Sequence, residues 1–479
     1  MPQARQFAGN FAIQVTGKIL SVLIGLVSIA VLTRTLGQFG FGEYTTAVTF
    51  LQIFGVIVDF GLSLTLIVMI SEPDADEKKI VGNIFTLRMI SAAALFGIAP
   101  LAVLAFPWSH TVKLGVLVGA AAYFLMAGAA MLVGLFQKHA TVWRSSLAEL
   151  VNRIVLLGII LLFSHWGLGV VPMIAALVAA NAVWLILTIW LAKTHVRIRP
   201  QFDFQIWKET LTRSWPIAVS ILFNLVYLKG DLFFLSLLRA PEEVGLYGVS
   251  YRVIDVLTVI PTIFMGLLLP SLVADWAKKE KVEFGNHLNR AFSAFVILVA
   301  PVIAGAQAIG DRLMAFIAGS EFADSGIILR LLAWALIGVF FGTLYGHAVV
   351  AVNKQKLMLF GYAATAVLSV AGYLWMIPRF GMTGAAFVTI FSESLIAILT
   401  FSIVWREIRM RLPFVILLKA SAAAIMMAYA LKMLPAMPVL AAMAIGAVIY
   451  AILLLAVGGI SVQTIRELMP SRLAAHKKI

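Results

Sequence analysis

A set of charged side chains interrupts the apolar stretches of this sequence, and these residues have the clearest capacity for chemistry. A charge at the centre of a membrane helix costs about 2.5–3.5 kcal/mol on insertion scales, so we expect it to serve a function. Basic groups could hold an anion, and carboxylates could carry a proton or a cation. The basic residues are Lys18, Arg88, Arg153, Lys229, Arg252 and Arg330, and the acidic residues are Asp59, Glu149, Asp231, Asp255 and Glu393.

The spacing of some of these charges allows them to neutralise each other. Glu149 and Arg153 are four residues apart, and Arg252 and Asp255 are three apart, so each pair would share one face of a helix. Such a pair could be a structural ion pair, or it could present one of its charges to a cavity.

Lys229 and Asp231 are two residues apart, so on a helix their side chains point to different faces. Each of them therefore needs its own partner or water. Gly230 between them loosens the helix, and Asn224 and Tyr227 add polar groups nearby. This segment either lines a cavity or forms bridges to neighbouring helices.

Five further charges stand alone. Asp59 and Glu393 lie near the middle of apolar segments, where each could couple to an ion or serve as a hydrogen-bonded packing residue. Lys18, Arg88 and Arg330 lie nearer to segment ends, where a long basic side chain can extend to the headgroups. Lys18 and Arg88 could instead face a shared cavity and bind an anionic headgroup. The candidates for substrate binding are Lys18, Arg88, Arg153, Lys229 and Arg252, and those for ion coupling are Asp59, Asp231, Asp255 and Glu393.

Composition identifies the elements that must position these charges. The 479 residues are 62% hydrophobic and 12% charged, and the mean hydropathy is +1.02. Soluble domains carry about twice that share of charge, so most of the chain must face lipid or other helices. Unbroken apolar runs of about 20 residues predict membrane helices rather than barrel strands. The predicted spans are 11–33, 44–70, 80–106, 112–136, 143–164, 169–192, 214–238, 246–273, 288–309, 326–351, 357–377, 382–404, 413–434 and 437–460.

The distribution of Lys and Arg predicts the orientation. With the N-terminus inside the cell, about 23 basic residues fall on the cytoplasmic side and about 6 on the other, which is a strong positive-inside bias. The bias favours an even number of helices with both termini in the cytoplasm. No small-residue cleavage site follows the first apolar span, so we expect an uncleaved first helix rather than a signal peptide. It also explains the net charge of +14 without a nucleic-acid partner.

Landmarks that recur in the same order predict an internal repeat. Gly42 precedes Tyr44 as Gly245 precedes Tyr247, and Gly167 corresponds to Gly381. The separations of about 203 to 216 residues indicate two six-helix halves followed by two added helices. The predicted divisions are an N-lobe at 1–195, a cytoplasmic connector at 196–213, a C-lobe at 214–411, and helices 13 and 14 with a basic tail at 412–479.

Several classes of function are excluded or disfavoured by what the sequence lacks. There are no cysteines, no paired histidines of the metal-binding kind and no phosphate-binding glycine loop, so we expect no metal and no cofactor. No predicted loop is longer than a membrane span, so an embedded glycosyltransferase or polymerase is disfavoured. Two matched halves without an ATP-binding fold predict a secondary transporter rather than an enzyme.

Three segments resemble a known family. ILSVLIGLVSIAVLTRTLGQFGFGEYTTAV, followed by VDFGLSLTLIV, is similar to the start of oligosaccharide-lipid flippases. LKGDLFFLSLLRAPEEVGLYGVSYRVIDVL resembles their seventh and eighth helices, with Asp231 at the characteristic acidic position, and IPRFGMTGAAFVTIFSESLIAIL resembles a late helix start. The family is the polysaccharide-transporter branch of the multidrug/oligosaccharidyl-lipid/polysaccharide exporter superfamily, which includes O-antigen flippases.

This resemblance implies an all-α polytopic protein of about fourteen helices in two lobes that alternate access. The implied substrate is a polyprenyl-diphosphate-linked oligosaccharide moved across a prokaryotic plasma membrane for surface polysaccharide biosynthesis. Membrane lipid, a polysaccharide polymerase and chain-length proteins are the implied partners. The alternatives are a drug/cation antiporter of the same superfamily and a flippase for lipid-linked peptidoglycan precursors.

Overall fold

The computed structural model describes residues 2–435 and 437–459, without the side chains of residues 2–15 and 19. The predicted basic tail therefore lies outside the described residues. Within them the protein is almost entirely helical and contains no strand. The helices are α1 (Pro2–Asp59), α2 (Leu62–Ile70), α3 (Glu77–Ala102), α4 (His110–Met131), α5 (Val133–Lys138), α6 (Val142–His165), α7 (Val170–Ala192), α8 (Phe204–Leu238), α9 (Pro241–Ala277), α10 (Lys281–Ala318), α11 (Ser325–Ala351), α12 (Gln355–Ile408), α13 (Phe414–Met433) and α14 (Val439–Ala456).

Twelve helical segments of the described chain are long and apolar enough to cross a bilayer. Ten of them have lengths between 18 and 38 residues, which suits one crossing each. The other two, Thr16–Ile70 and Gln355–Ile408, have 55 and 54 residues. The chain is therefore a multi-pass membrane protein of helices, as the composition predicts.

The two long segments join spans that the sequence separates by loops. Predicted spans 11–33 and 44–70 form one segment, and so do 357–377 and 382–404. Each segment bends at a glycine with positive φ: Gly37 has φ 63° and ψ −175°, and Gly381 has φ 55° and ψ −137°. Glycine adopts these angles without a Cβ clash, so the chain changes direction with almost no loss of helix. Because the apolar run is interrupted at each bend, the sequence pattern predicts a loop there.

The connector predicted at 196–213 is partly helical, because α8 begins at Phe204. Asp203 caps this helix by accepting hydrogen bonds from the backbone N–H groups of Gln205 and Ile206, at 3.0 and 3.3 Å. Its carboxylate also lies 2.7 Å from the Lys79 ammonium. The hydrogen bond from Lys79 and the bonds from the helix N-terminus lower the pKa of Asp203. The cap therefore keeps its negative charge into mildly acidic solution.

The chain divides into two compact units. The first comprises residues 1–253, 317–322 and 362–389, and the second comprises residues 254–316, 323–361 and 390–479. The first unit contains residues of both predicted halves, whereas the second unit begins at residue 254 and contains none of the predicted N-lobe. The division into an N-lobe and a C-lobe at residue 195 describes a sequence repeat and stays a prediction.

Buried amides link three helices of the first unit. Asn152 on α6 donates to the side-chain oxygen of Asn181 on α7, at 3.0 Å, and Asn181 donates to the carbonyl of Ala122 on α4, at 3.0 Å. Between membrane helices, hydrogen bonds of this kind and close contact of small residues replace the hydrophobic effect as the source of packing.

Two glycines of the matched landmarks pack α1 against α9. A Cβ on Gly42 would lie 1.8 Å from the carbonyl oxygen of Pro241, and a Cβ on Gly245 would lie 2.3 Å from the carbonyl oxygen of Gln38. Gly42 and Gly245 differ by the same 203 positions as Gln38 and Pro241, so each contact is the other with the repeats exchanged. We call this reciprocal contact the glycine crossing. Two copies of one surface patch meet in this way about a twofold axis.

We expect Gly42→Ala and Gly245→Ala each to lower the stability of the purified protein by roughly 1–3 kcal/mol or more, because the added methyl meets a carbonyl oxygen that cannot rotate away. Gly25→Ala is the matched control, since no atom lies within 4 Å of a Cβ at that position. Thermal unfolding in detergent measures the difference. Equal melting temperatures for all three variants would contradict the crossing.

Candidate functional site

The carboxylate of Asp231 is fully buried on α8. One oxygen accepts hydrogen bonds from the hydroxyls of Tyr247 on α9, at 2.8 Å, and Thr389 on α12, at 3.1 Å. The other accepts the backbone N–H of Leu232, at 2.7 Å. Three donors around one carboxylate offset much of the cost of burying it. The same arrangement joins α8, α9 and α12 through one group.

Lys229, one half-turn away, has different surroundings. Its ammonium lies 4.5 Å from the centre of the Tyr251 ring, within the range of a cation–π interaction. The residue also borders a cavity of about 400 Å³ in the first unit. The rest of that cavity is apolar and aromatic, and it includes Phe50, Phe54, Phe106, Phe233 and Phe234. Within the segment, Lys229 thus borders an apolar cavity, whereas Asp231 bridges to neighbouring helices.

Arg88 on α3 is held by Asp59 at the end of α1. The guanidinium nitrogen lies 2.5 Å from the carboxylate oxygen, and only 4% of the arginine side chain is exposed. Ser63 donates to the same carboxylate oxygen at 2.6 Å. Arg88 therefore does not extend to the headgroups, which was one of the two sequence interpretations. A predicted substrate residue and a predicted coupling residue form an ion pair with each other.

Lys18 on α1 forms an ion pair with Glu149 on α6. The ammonium lies 2.9 and 3.3 Å from the two carboxylate oxygens, and both side chains are partly exposed. The spacing of Glu149 and Arg153 predicted a pair within one helix. In the described residues Glu149 bonds Lys18, on the neighbouring helix α1, instead.

Arg153 on α6 and Arg252 on α9 remain as cations that no carboxylate neutralises. Both are half-buried, and no acidic group of the described chain lies within 4 Å of either. The charges of both guanidinium groups act on the buried phenols of Tyr44 and Tyr123. The two arginines come from different predicted repeats, yet they lie in electrostatic range of the same two tyrosines.

The remaining candidates belong to the second unit. Glu393 on α12 is buried, and Gly338 on α11 packs on its backbone, where a Cβ would come within 2.5 Å. Asp255 on α9 is half-buried. Arg330, which the sequence placed near a helix end, forms an ion pair with Asp311 at 2.8 Å.

Sequence reasoning missed several polar residues near these charges. Glu43 is buried and accepts a hydrogen bond from the Ser109 hydroxyl. The sequence pattern predicts a loop at residues 34–43 and therefore does not single out Glu43. Tyr44 and Tyr247 are landmarks of the repeat, but the sequence does not predict that Tyr247 and Thr389 bind Asp231. A hydroxyl has no distinct spacing signal in a sequence of this composition.

Comparison with known proteins decides the family. A family model described as "Polysaccharide biosynthesis protein" matches residues 7–274, which is more than half of the chain. The chain belongs to the polysaccharide biosynthesis protein family. This agrees with the resemblance carried by its motifs.

Two curated proteins are similar to this member of the polysaccharide biosynthesis protein family. One, from Haloferax volcanii, is named as a low-salt glycan biosynthesis flippase, Agl15, and is 23% identical over 76% of this chain and 76% of its own length. The other, from Shigella flexneri, is named as an O-antigen transporter and is 23% identical over 77% of this chain and 91% of its own length.

Solved structures show the same fold. The lipid II flippase MurJ in an inward closed conformation aligns with a TM-score of 0.75 at 13% identity, covering 92% of this chain and 98% of that one. An inward-facing multidrug transporter of the MATE family of the MOP superfamily aligns with a TM-score of 0.64 at 15% identity, covering 83% and 98%. At these identities the likeness concerns the fold alone.

We expect Tyr247→Phe to destabilise the protein by about 1–3 kcal/mol, because it removes a donor from a fully buried carboxylate. Tyr345→Phe is the matched control: its hydroxyl is also buried, but it has no hydrogen-bond partner in the described residues, so its loss should be close to neutral. Thermal unfolding of both variants measures the difference. A similar loss for the two would show that the Tyr247 hydroxyl does not support Asp231.

Proposed function

We propose that this protein is a flippase that moves polyprenyl-diphosphate-linked oligosaccharide units across a membrane for surface polysaccharide biosynthesis. The family membership and the two curated relatives named as a flippase and a transporter support the proposal. The structural observation that carries it is the pair of guanidinium groups, Arg153 and Arg252, without a neutralising carboxylate in the described chain. No catalytic activity is proposed.

A diphosphate is the chemical group that best suits these two arginines. Arginine remains charged at any physiological pH, and its planar fork of donors matches phosphate oxygens. Half-burial strengthens such hydrogen bonds relative to open water. We therefore assign substrate binding first to Arg153 and Arg252, with Lys229 as a third cation at an apolar cavity.

Lys18 and Arg88 take a secondary place in this proposal. Each is already bonded to a carboxylate, so a diphosphate would have to displace Glu149 or Asp59 before it could bind. A carboxylate displaced in this way would become free to bind or release a proton or a cation, which would couple substrate binding to that ion. Asp59, Asp231, Asp255 and Glu393 remain the coupling candidates, and at Asp231 the exchange would require Tyr247 and Thr389 to move.

We further propose fourteen crossings of the plasma membrane, with both termini in the cytoplasm. Each of the two long segments measures roughly 80 Å at about 1.5 Å per residue, against a hydrocarbon core of about 30 Å. The bends at Gly37 and Gly381 allow each segment to cross twice, so twelve segments supply fourteen crossings. The positive-inside bias supports the orientation. A polysaccharide polymerase and chain-length proteins are the proposed protein partners.

The two alternative functions, drug export and peptidoglycan-precursor export, are found in proteins of the same fold, but neither the family model nor the curated relatives point to them. A lipid II flippase and multidrug transporters have similar structures, so the fold does not choose among the substrates. The family model and the curated relatives favour glycan export over drug or peptidoglycan-precursor export.

We expect Arg153→Ala and Arg252→Ala each to reduce export of lipid-linked oligosaccharide about tenfold or more, because one charge-assisted hydrogen bond contributes roughly 1.5–3 kcal/mol. Substrate should accumulate in the cytoplasmic leaflet of cells that carry only the variant. The measurement is the labelling of surface glycan, together with extraction of the lipid-linked intermediate. Arg153→Lys and Arg252→Lys keep the positive charge but lose the planar set of guanidinium donors. We therefore expect their export to lie between that of the alanine variants and that of the unaltered protein.

Arg379→Ala serves as the control, since Arg379 is exposed and lies against Trp375. Its export should match that of the unaltered protein. Normal export by both Arg153→Ala and Arg252→Ala, at normal protein levels, would contradict the proposal that these arginines bind the diphosphate. Normal surface glycan combined with reduced drug efflux in cells without the protein would favour the antiporter.

A further inference from the structure

An open groove of about 400 Å³ runs between α10, α11 and α13 of the second unit. Its walls are aliphatic and aromatic over most of their length and include Val299, Ile303, Ile337, Phe341, Leu417 and Ile425. None of the charged residues considered for transport lines it. The groove is separate from the cavity beside Lys229, which belongs to the first unit.

One region of the groove is polar. Gln307, Tyr429 and Lys432 belong to its lining, and Lys432 lies in the last turn of α13. The Gln307 amide donates to the carbonyl of Arg330 at 2.9 Å, which ties the side chain to α11. Lys432 is exposed, and its ammonium has no carboxylate within 4 Å in the described residues. A free cation at a helix end would stand at the level of the headgroups.

The groove is open to the side. Ile425 and Tyr429 on α13 are 67% and 64% exposed, and Trp334 on α11 is 48% exposed. Tyr429 lies in the last two turns of α13, and a tyrosine near the end of a membrane helix is typical of the interface between hydrocarbon and headgroups. A molecule that already lies in the bilayer could therefore enter this groove without leaving the membrane.

The chemistry of the walls restricts the occupant. Water needs two to four polar partners, and away from the polar region the lining is apolar except for Ser421. An alkyl chain gains dispersion contacts with the walls that a void forfeits. The cation at the polar region calls for an anion at the head of that chain. A bilayer lipid with a negatively charged phosphate headgroup has both parts in one molecule.

We propose that this groove is a binding site for an anionic phospholipid, with one acyl chain along α10 and α13 and the phosphate at Lys432. The occupant is a lipid of the surrounding bilayer rather than the transported molecule. A basic residue at a membrane surface contributes about 1 kcal/mol toward an anionic lipid. This corresponds to about a fivefold preference over a zwitterionic lipid of the same chain length.

The test is native mass spectrometry of the full-length protein released from bilayers of phosphatidylcholine and phosphatidylglycerol in equal amounts. We expect phosphatidylglycerol to be retained with about fivefold preference. Lys432→Gln should remove this preference. Lys419→Gln is the matched control, because Lys419 lies on the same helix, outside the groove, and bonds the carbonyl of Gly458 at 2.9 Å.

A second pair of variants tests the apolar length without changing charge. Ala428→Phe would fill the groove, because Ala428 lines it, and we expect it to lose the retained lipid. Ala422→Phe adds the same ring on an exposed position of α13 outside the groove and should retain the lipid. If Ala428→Phe fails to fold, the lipid preference of Lys432→Gln compared with that of Lys419→Gln still tests the proposal.

The proposal is overturned if the two lipids are retained equally, or if Lys432→Gln and Lys419→Gln behave alike. It is also overturned if added polyprenyl diphosphate displaces the lipid at stoichiometric amounts, because the groove would then belong to the substrate path. Lipid retention is measured without transport, so its failure would leave the assignment of Arg153 and Arg252 standing. A loss of export in the Arg153 and Arg252 variants with lipid still retained would support the assignment of the two arginines and leave the lipid site standing.

Discussion

The cost of a charge in an apolar interior is the constraint on which the rest of this structure depends. A chain with so little polar surface has few groups with which to solvate an ion, so each buried ion needs a local partner. Asp231 is surrounded by two hydroxyls and a backbone N–H. Arg88 and Lys18 each have a carboxylate on another helix. The neutralised charges join helices, and the charges left without a counter-ion stand out as the places where a ligand can supply one.

The glycine crossing shows how the duplicated sequence is used in the fold. Gly42 and Gly245 are landmarks of the two repeats, and each allows the carbonyl backbone of the other repeat to approach. Because Gly42 and Gln38 are each 203 positions before their counterparts Gly245 and Pro241, one small patch, present twice, packs on itself. Lipid gives helices no hydrophobic reason to associate, so close backbone contact at small residues carries much of the packing. The bends at Gly37 and Gly381 likewise use glycine, in this case for its positive φ.

Cationic groups have different roles in the two units. In the first unit, Arg153 and Arg252 exert their charge on buried tyrosines, and we propose that they bind the diphosphate of the substrate. In the second, Lys432 is a point charge among the lining residues of an apolar groove, and we propose that it binds the headgroup of a bilayer lipid. Arginine suits a diphosphate that must be held in a fixed orientation, whereas a flexible lysine suits a headgroup at the membrane surface.

The sequence by itself determined that this is an all-helical, multi-pass membrane protein, because composition and the length of apolar runs depend only on local chemistry. It also determined which charges are unusual and, through its motifs, the family. Tertiary structure alone decided the partners: Glu149 bonds Lys18 rather than Arg153, and Arg88 bonds Asp59. It also decided that residues 34–43 continue a helix and bury Glu43. Lys18 and Glu149 are 131 positions apart. Pairing over such a separation depends on how helices pack, and the periodicity of one helix contains no information about its neighbours.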